Sequence, residues 1–325
     1  MMEGMRHELL PAMDEIRAAA ELVAGYLPST PQYTWPQIDA RAGRTVWVKH
    51  ENHMPVGAFK VRGGLVYMNA LRAKLAPGST VISATRGNHG QSIALAAREN
   101  GFRSVIVVPK GNSVEKNAAM RALGAELIEH GDDFQAATEH AMALEAEHGW
   151  HRVKAVSRHL VAGVATGFLE MLTAHPEIET MYVAVGMGSA ICGAIAVRDG
   201  LGLKTEIVGV TSSSAPATAM SYAAGRVTEA EAATRIADGV ACRKPDAEAI
   251  ETMVQGVARV IEVGDEAVEE AMRIYFADTH NVAEGAGAIG LAAMLQDEGA
   301  GGVCGVVLSG GNVDSAVFAR VLGGC

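Results

Sequence analysis

Short apolar runs alternate with helix-period segments along most of this chain, and glycine sits at many of the corners between them. Residues 45–50, 81–83, 104–108 and 125–128 have the apolar content of strands. Helix-period segments at 65–75, 91–100, 114–123 and 134–147 follow them. Strands that are joined through a helix return in the same direction. The pattern therefore predicts a parallel sheet with helices on both faces. A second series starts near residue 160, with strands predicted at 180–185, 205–210, 259–263 and 302–308. Helices are predicted over 160–172, up to 198, over 265–279 and over 286–296. An N-terminal helix over 13–26 is stopped by Pro28 and Pro31. The two series meet at 147–159, where Trp150 and several histidines interrupt the pattern.

The expected fold is thus α/β, with two parallel-rich sheet domains covered by helices. Residues 1–55 and 158–325 form the larger domain, and 56–157 a smaller inserted one. A ligand belongs in the cleft between them, beyond the carboxyl ends of the strands.

The composition removes several functions. A chain of 325 residues with 49% hydrophobic and 20% charged residues suits a compact core. A net charge of -10 with no basic cluster argues against nucleic acid. No run reaches the roughly 18 apolar residues of a membrane span, and no signal-peptide stretch opens the chain. Cys192, Cys242, Cys304 and Cys325 are dispersed without metal-ligand spacing. Reduced thiols in a cytoplasmic protein are expected.

The chemistry centres on Gly57-Ala58-Phe59-Lys60. Lys60 falls at a predicted helix start among small residues and Phe59. Crowding there desolvates an amine, lowers its pKa and makes it a better nucleophile toward an aldehyde. Three glycine turns each lead from a strand toward a helix: Arg86-Gly87-Asn88-His89-Gly90, Gly186-Met187-Gly188-Ser189 and Ser309-Gly310-Gly311-Asn312. Such turns offer backbone N–H groups to an anion. The second is the best phosphate cradle, although it is neither a P-loop nor a dinucleotide fingerprint. Between Ala223 and Pro245 the pattern breaks, and Ala237-Asp238-Gly239-Val240-Ala241 reads as a loop carrying short strands. The stripe Met253, Val257, Ile261 reads as packing, and His148 and His151 as a solvated surface.

In this order and spacing, the Lys60 stretch, Gly87-Asn88-His89-Gly90, Ala237-Asp238-Gly239 and Ser309-Gly310-Gly311-Asn312 resemble the fold-type II pyridoxal-5'-phosphate enzymes. Within them the likeness is to the serine/threonine dehydratase and serine racemase group, over nearly the whole length from about Thr30. The resemblance implies that Lys60 forms the Schiff base with the cofactor and acts as the proton-transfer base. It places Phe59 and Gly239 on the two faces of the ring, Asn88 at the ring 3'-oxygen and Ser309 at the pyridine nitrogen. By the same resemblance Gly186, Met187, Gly188 and Ser189 would hold the phosphate, and Glu284 would order the pocket. Thr85, Arg86, Asn88 and His89 are the expected substrate-binding residues, and Lys60 and Arg86 the expected catalytic ones. A serine at the ring nitrogen leaves a weaker electron sink than a carboxylate would, which favours elimination.

The implied activity is that of an ammonia-lyase. It turns a β-hydroxy-α-amino acid such as L-threonine, L-serine or 3-hydroxyaspartate into a 2-oxo acid and ammonia. A β-replacement synthase or a racemase on the same fold is one alternative, and a non-catalytic small-molecule binding protein is another. Arg86 departs from the family pattern, which has a serine there in the racemase. An arginine does not readily give up its proton, so racemisation is disfavoured. Its fork suits a second substrate carboxylate instead. Some relatives bind a divalent cation after the strand matching 205–210. Thr211-Ser212-Ser213-Ser214-Ala215-Pro216-Ala217 has no carboxylate to offer, and no metal is expected. A homodimer is implied, and no regulatory domain of the kind attached to biosynthetic threonine dehydratases is expected.

Overall fold

The computed structural model describes residues 8–299 and 301–324. Cys325 and the first seven residues lie outside them. Among the described residues ten strands form two sheets. The larger has the order β1 (Gln32–Thr34), β2 (Val46–His50), β10 (Cys304–Leu308), β7 (Thr180–Ala184), β8 (Glu206–Ser212) and β9 (Arg259–Val263). The smaller has the order β5 (Glu126–Glu129), β4 (Arg103–Val108), β3 (Thr80–Ala84) and β6 (His151–Arg152). All pairings are parallel except that of β1 with β2 at one edge. The parallel strands are rich in buried Val and Ile, as expected where helices cover both faces.

Helices α11 (Asp265–Thr279) and α12 (Gly285–Gln296) cover one face of the large sheet. On the other lie α1 (Met13–Ala24), α7 (Arg158–Ala174), α8 (Ser189–Gly200) and α10 (Ala247–Gly256). In the small sheet, α3 (Lys60–Leu71), α4 (Asn88–Glu99) and α5 (Val114–Ala122) face α6 (Phe134–His148) across the strands. Helices α3 and α7 join the two halves, and glycine is what lets them touch. A Cβ on Gly163 would meet the Arg62 carbonyl oxygen at 2.3 Å, and one on Gly63 the Leu160 carbonyl oxygen at 2.8 Å.

Several sequence expectations change. The edge strand β1, the short helices α2 (Pro36–Ala42) and α9 (Ala217–Ala224), and β6 within the interrupted segment were not anticipated. Strand β8 runs on through Thr211 and Ser212, so the small-residue stretch begins as sheet. The loop at Asp238 carries no strand; Asp238–Val240 is a single 3-10 turn. His151 is half-buried rather than fully solvated: it stands in β6, and its Nε2 lies 2.9 Å from the Tyr67 hydroxyl. His148 is exposed and stacks on Trp150 at 4.4 Å. Met253 and Val257 are buried in the core, as their spacing implied.

Candidate active site

The carboxyl ends of both sheets open into one cavity of about 1020 Å³. Its wall takes Thr85 to His89 from the exit of β3, Arg152 to Ala155 from β6, and Gly186 and Met187 from β7. Lys60, Lys116, Asp238, Gly239 and Cys242 complete the region around the lysine. Lys60 is the first residue of α3. The strands hold it there through the loop before it: Phe59 N–H donates to the Ser309 carbonyl at 3.1 Å, and Gly311 N–H to that of Gly57 at 2.9 Å. The Lys60 ammonium sits 4.6 Å from the Phe59 ring centre. Protein atoms crowd the amine, and this desolvation, partly offset by the charge of Glu284, brings its pKa down to about 8.

Helix α4 starts at Asn88, three residues earlier than the sequence pattern implied. Asn88 and His89 therefore stand in its first turn, where N–H groups have no helical partner. Thr85 Oγ1 accepts the Gly87 N–H at 3.0 Å and shapes this corner. His89 is buried, with Nε2 unpaired, and burial followed by the charge of Lys60 pushes its pKa down to about 3. It is a neutral imidazole at physiological pH. Arg86 is exposed in the cavity wall and makes no hydrogen bond or ion pair with any described carboxylate.

A polar chain surrounds the lysine. Asn312 Nδ2 donates to the Val56 carbonyl at 2.7 Å and to Asn88 Oδ1 at 2.8 Å. Asn88 in turn donates to Glu284. Lys116 closes the chain, with Nζ 2.8 Å from Asp238 Oδ2 and 3.2 Å from Glu284 Oε2. Burial opposes charge on both Lys116 and Glu284. Glu284 and Asp238 together overcome this at Lys116 and raise its pKa, so the ammonium persists. Lys116 was missed from sequence. A signal existed: it shares the buried face of α5 with Asn117 and Met120, where a lysine needs a partner.

The sequence-selected residues do not all line the open cavity. Lys60, Thr85, Arg86, Asn88, His89, Gly186, Met187 and Gly239 do. Phe59, Gly188, Ser189, Glu284 and Ser309 are outside that wall. Of these, Phe59 lies against Lys60, and Glu284 bonds Asn88. Ser309 donates its hydroxyl to the Ala286 carbonyl at 3.2 Å. Gly188 caps α8 at φ +107, with no side-chain cap, and Ser189 is the first residue of that helix. No group of three or more His, Cys, Asp or Glu side chains suited to a metal occurs among the described residues. No helix of the described residues is long and apolar enough to cross a membrane.

These walls fit pyridoxal phosphate. The aldehyde has an amine of depressed pKa at Lys60, and the phosphate has the uncapped N-terminus of α8. The space around this region depends on residues without side chains. A Cβ on Gly186 would meet the Gly239 carbonyl oxygen at 2.6 Å, and one on Gly239 the Ala286 Cβ at 2.7 Å.

Comparison with known proteins agrees. The chain is 34% identical over 289 residues to the L-threonine ammonia-lyase of Geobacter sulfurreducens, covering 87% of this chain and 71% of that one. It is 27% identical over 319 residues to an L-threo-3-hydroxyaspartate ammonia-lyase from a Pseudomonas species, covering 97% and 99%. The solved structure of maize serine racemase superposes with a TM-score of 0.89 at 28% identity, covering 97% of this chain and 98% of that one. The family model described as pyridoxal-phosphate dependent enzyme matches residues 23–310. With two helix-covered sheets meeting at Lys60, this chain belongs to the pyridoxal-phosphate dependent enzymes of fold type II.

Proposed function

We propose that the protein eliminates water from a β-hydroxy-α-amino acid and releases a 2-oxo acid and ammonia. Serine, threonine and 3-hydroxyaspartate represent the class, and the two ammonia-lyase relatives support the reading. The same reading includes a cytoplasmic homodimer, and the domain division at residues 55/56 and 157/158 that the two sheets suggest. The buried free thiols Cys192, Cys242 and Cys304 suit a reducing compartment.

Phe59, Asn88, Gly239 and Ser309 would hold the cofactor ring, and Gly186 to Ser189 its phosphate. When bound, the cofactor supplies the electron sink that acidifies the substrate α-carbon. The first N–H groups of α4, with Thr85 and Asn88, receive the α-carboxylate. Lys60 takes the α-proton as a neutral amine and returns a proton to the departing β-hydroxyl, which leaves as water. The released enamine tautomerises, takes up one water and loses ammonia. The Lys116–Glu284–Asn88 chain keeps the polar side of the pocket in place.

One observation carries elimination over racemisation. Racemisation needs a second group that exchanges a proton on the opposite face. Near Lys60 the cavity offers His89 at about 3, Cys242 pushed up to about 11, Lys116 held protonated, and an arginine. Of these nitrogen and sulfur groups Lys60, at about 8, is the one poised near neutral pH. The test is product analysis of the cofactor-loaded protein with L-serine, L-threonine and the 3-hydroxyaspartates. Equal amounts of 2-oxo acid and ammonia are expected. Accumulation of the opposite α-enantiomer without ammonia would reject elimination, and no turnover of any β-hydroxyamino acid would reject the reading altogether.

A further inference from the structure

The cations of the cavity wall divide into two sets. Lys116 is paired with Asp238 at 2.8 Å, Arg152 with Glu145 at 2.6 Å, Arg243 with Asp133 at 3.1 Å and Lys244 with Glu229 at 2.8 Å. Lys60, Arg86 and Lys154 also line the cavity, and none has a carboxylate partner among the described residues. Lys60 is accounted for by the chemistry. Arg86 and Lys154 are not.

Topology brings these two together. Strands β3 and β6 are parallel neighbours, with Val81 opposite His151 and Ile82 opposite Arg152. The ladder continues past β6: Val153 N–H donates to the Ile82 carbonyl at 2.8 Å, and Ser83 Oγ to the Val153 carbonyl at 2.9 Å. The two chains therefore leave the sheet side by side. Lys154 comes level with Ala84, two residues before Arg86. Val153 is buried in the core beneath, and Lys154, next along the chain, is exposed at the cavity. Wall carboxylates do not neutralise the pair. Asp133 feels the charge of Arg86 but bonds Arg243. Asp246 caps α10, and Glu231 is exposed and forms no ion pair among the described residues.

We infer that Arg86 and Lys154 form a subsite for a second anionic group on the substrate, so that the preferred substrate is a β-hydroxy-α-amino dicarboxylate. The inference rests on the elimination reading and narrows it. The α-carboxylate already has the start of α4, which leaves the guanidinium fork and the ammonium for a carboxylate on the β-carbon. The reaction balances without any added reagent. The Cα–H and Cβ–O bonds break, water leaves, and hydrolysis of the enamine consumes one water. A 2-oxo dicarboxylate and ammonia result. The product's consumer would then be a reaction that uses a four-carbon oxo dicarboxylate.

Steady-state kinetics on the cofactor-loaded protein test this with threo- and erythro-3-hydroxyaspartate, threonine and serine. A charge-assisted pair predicts that Arg86→Ala lowers the ratio of kcat/KM for hydroxyaspartate to that for threonine by about 10- to 100-fold, mostly through KM. Lys154→Ala should lower it by about 3- to 10-fold, as a single exposed charge would. Arg86→Lys should recover part of the loss. Binding of succinate, which cannot react, gives a second readout by thermal shift and should weaken in both alanine variants. An unchanged substrate ratio with undiminished succinate binding overturns the subsite and leaves the elimination reading standing. Succinate binding that depends on both residues, in a protein that releases no ammonia from any hydroxyamino acid, supports the anion subsite and defeats the elimination reading.

Discussion

Two charged regions lie at opposite ends of one short sequence. Beneath α3, Arg62 donates from Nε and Nη2 to Glu51 at 2.8 and 2.9 Å, and from Nη1 and Nη2 to Glu170 at 2.8 and 2.9 Å. Lys49 pairs with Glu170 and donates to the Thr30 carbonyl at 3.1 Å. Arg62, Lys49 and Glu51 are almost wholly buried, and each charge has an opposite one within reach. Two residues upstream, Lys60 is crowded by protein atoms and has no such partner. The same helix start thus carries a matched cation and an unmatched one. Matching holds Arg62 charged and fixes the base of the helix. The lack of matching leaves Lys60 with a pKa of about 8 and a free amine to react. Position along the helix decides between structure and chemistry, and the partners decide the position.

The comparison breaks most visibly at Arg62. Arg62→Met leaves Glu51 and Glu170 with Lys49 alone, and should destabilise the fold by about 3–5 kcal/mol in denaturant melts. A loss within 1 kcal/mol would mean that the cluster is not structural. Lys116 is the intermediate case, being buried and paired but in the cavity. Lys116→Met should cost about 2–4 kcal/mol, because Glu284 then stays buried beside Asn88 without its cation. Cofactor affinity, measured by equilibrium dialysis, should fall with it.

The smallest effect has the opposite sign. Lys60→Met should raise the Tm of the cofactor-free protein by about 1–4 °C at pH 7. The folded pKa of Lys60, about 8, lies below the ordinary lysine value of 10.5, so burial costs stability when the group is protonated in both states. Between those values the unfolded chain holds more protons, and wild-type stability rises with pH. The gap between wild type and variant should therefore close from pH 8 to 10.5. A gap that widens over that range contradicts the assignment.

Much of this was legible beforehand, and the exceptions have physical causes. The strand–helix alternation shows in the periodicity because buried parallel strands are uniformly apolar. The Lys60 and glycine-turn stretches stand out because each is contiguous. Lys116 does not, since its partners Asp238 and Glu284 lie far along the chain and only the fold unites them. Lys154 hides for a related reason: β6 is two residues long, too short for any period, and His151 within it is held by Tyr67. The turn at Asp238 reads as strand-like because a 3-10 turn of three residues leaves no pattern either.

The most direct test is the covalent attachment of the cofactor. The loaded protein is reduced with borohydride, digested and mapped by mass spectrometry. Attachment at Lys60 predicts one pyridoxyl adduct, on that residue, lost in Lys60→Met with no adduct moving to Lys116 or Lys154. An adduct on either of those lysines, or none on Lys60, would contradict it.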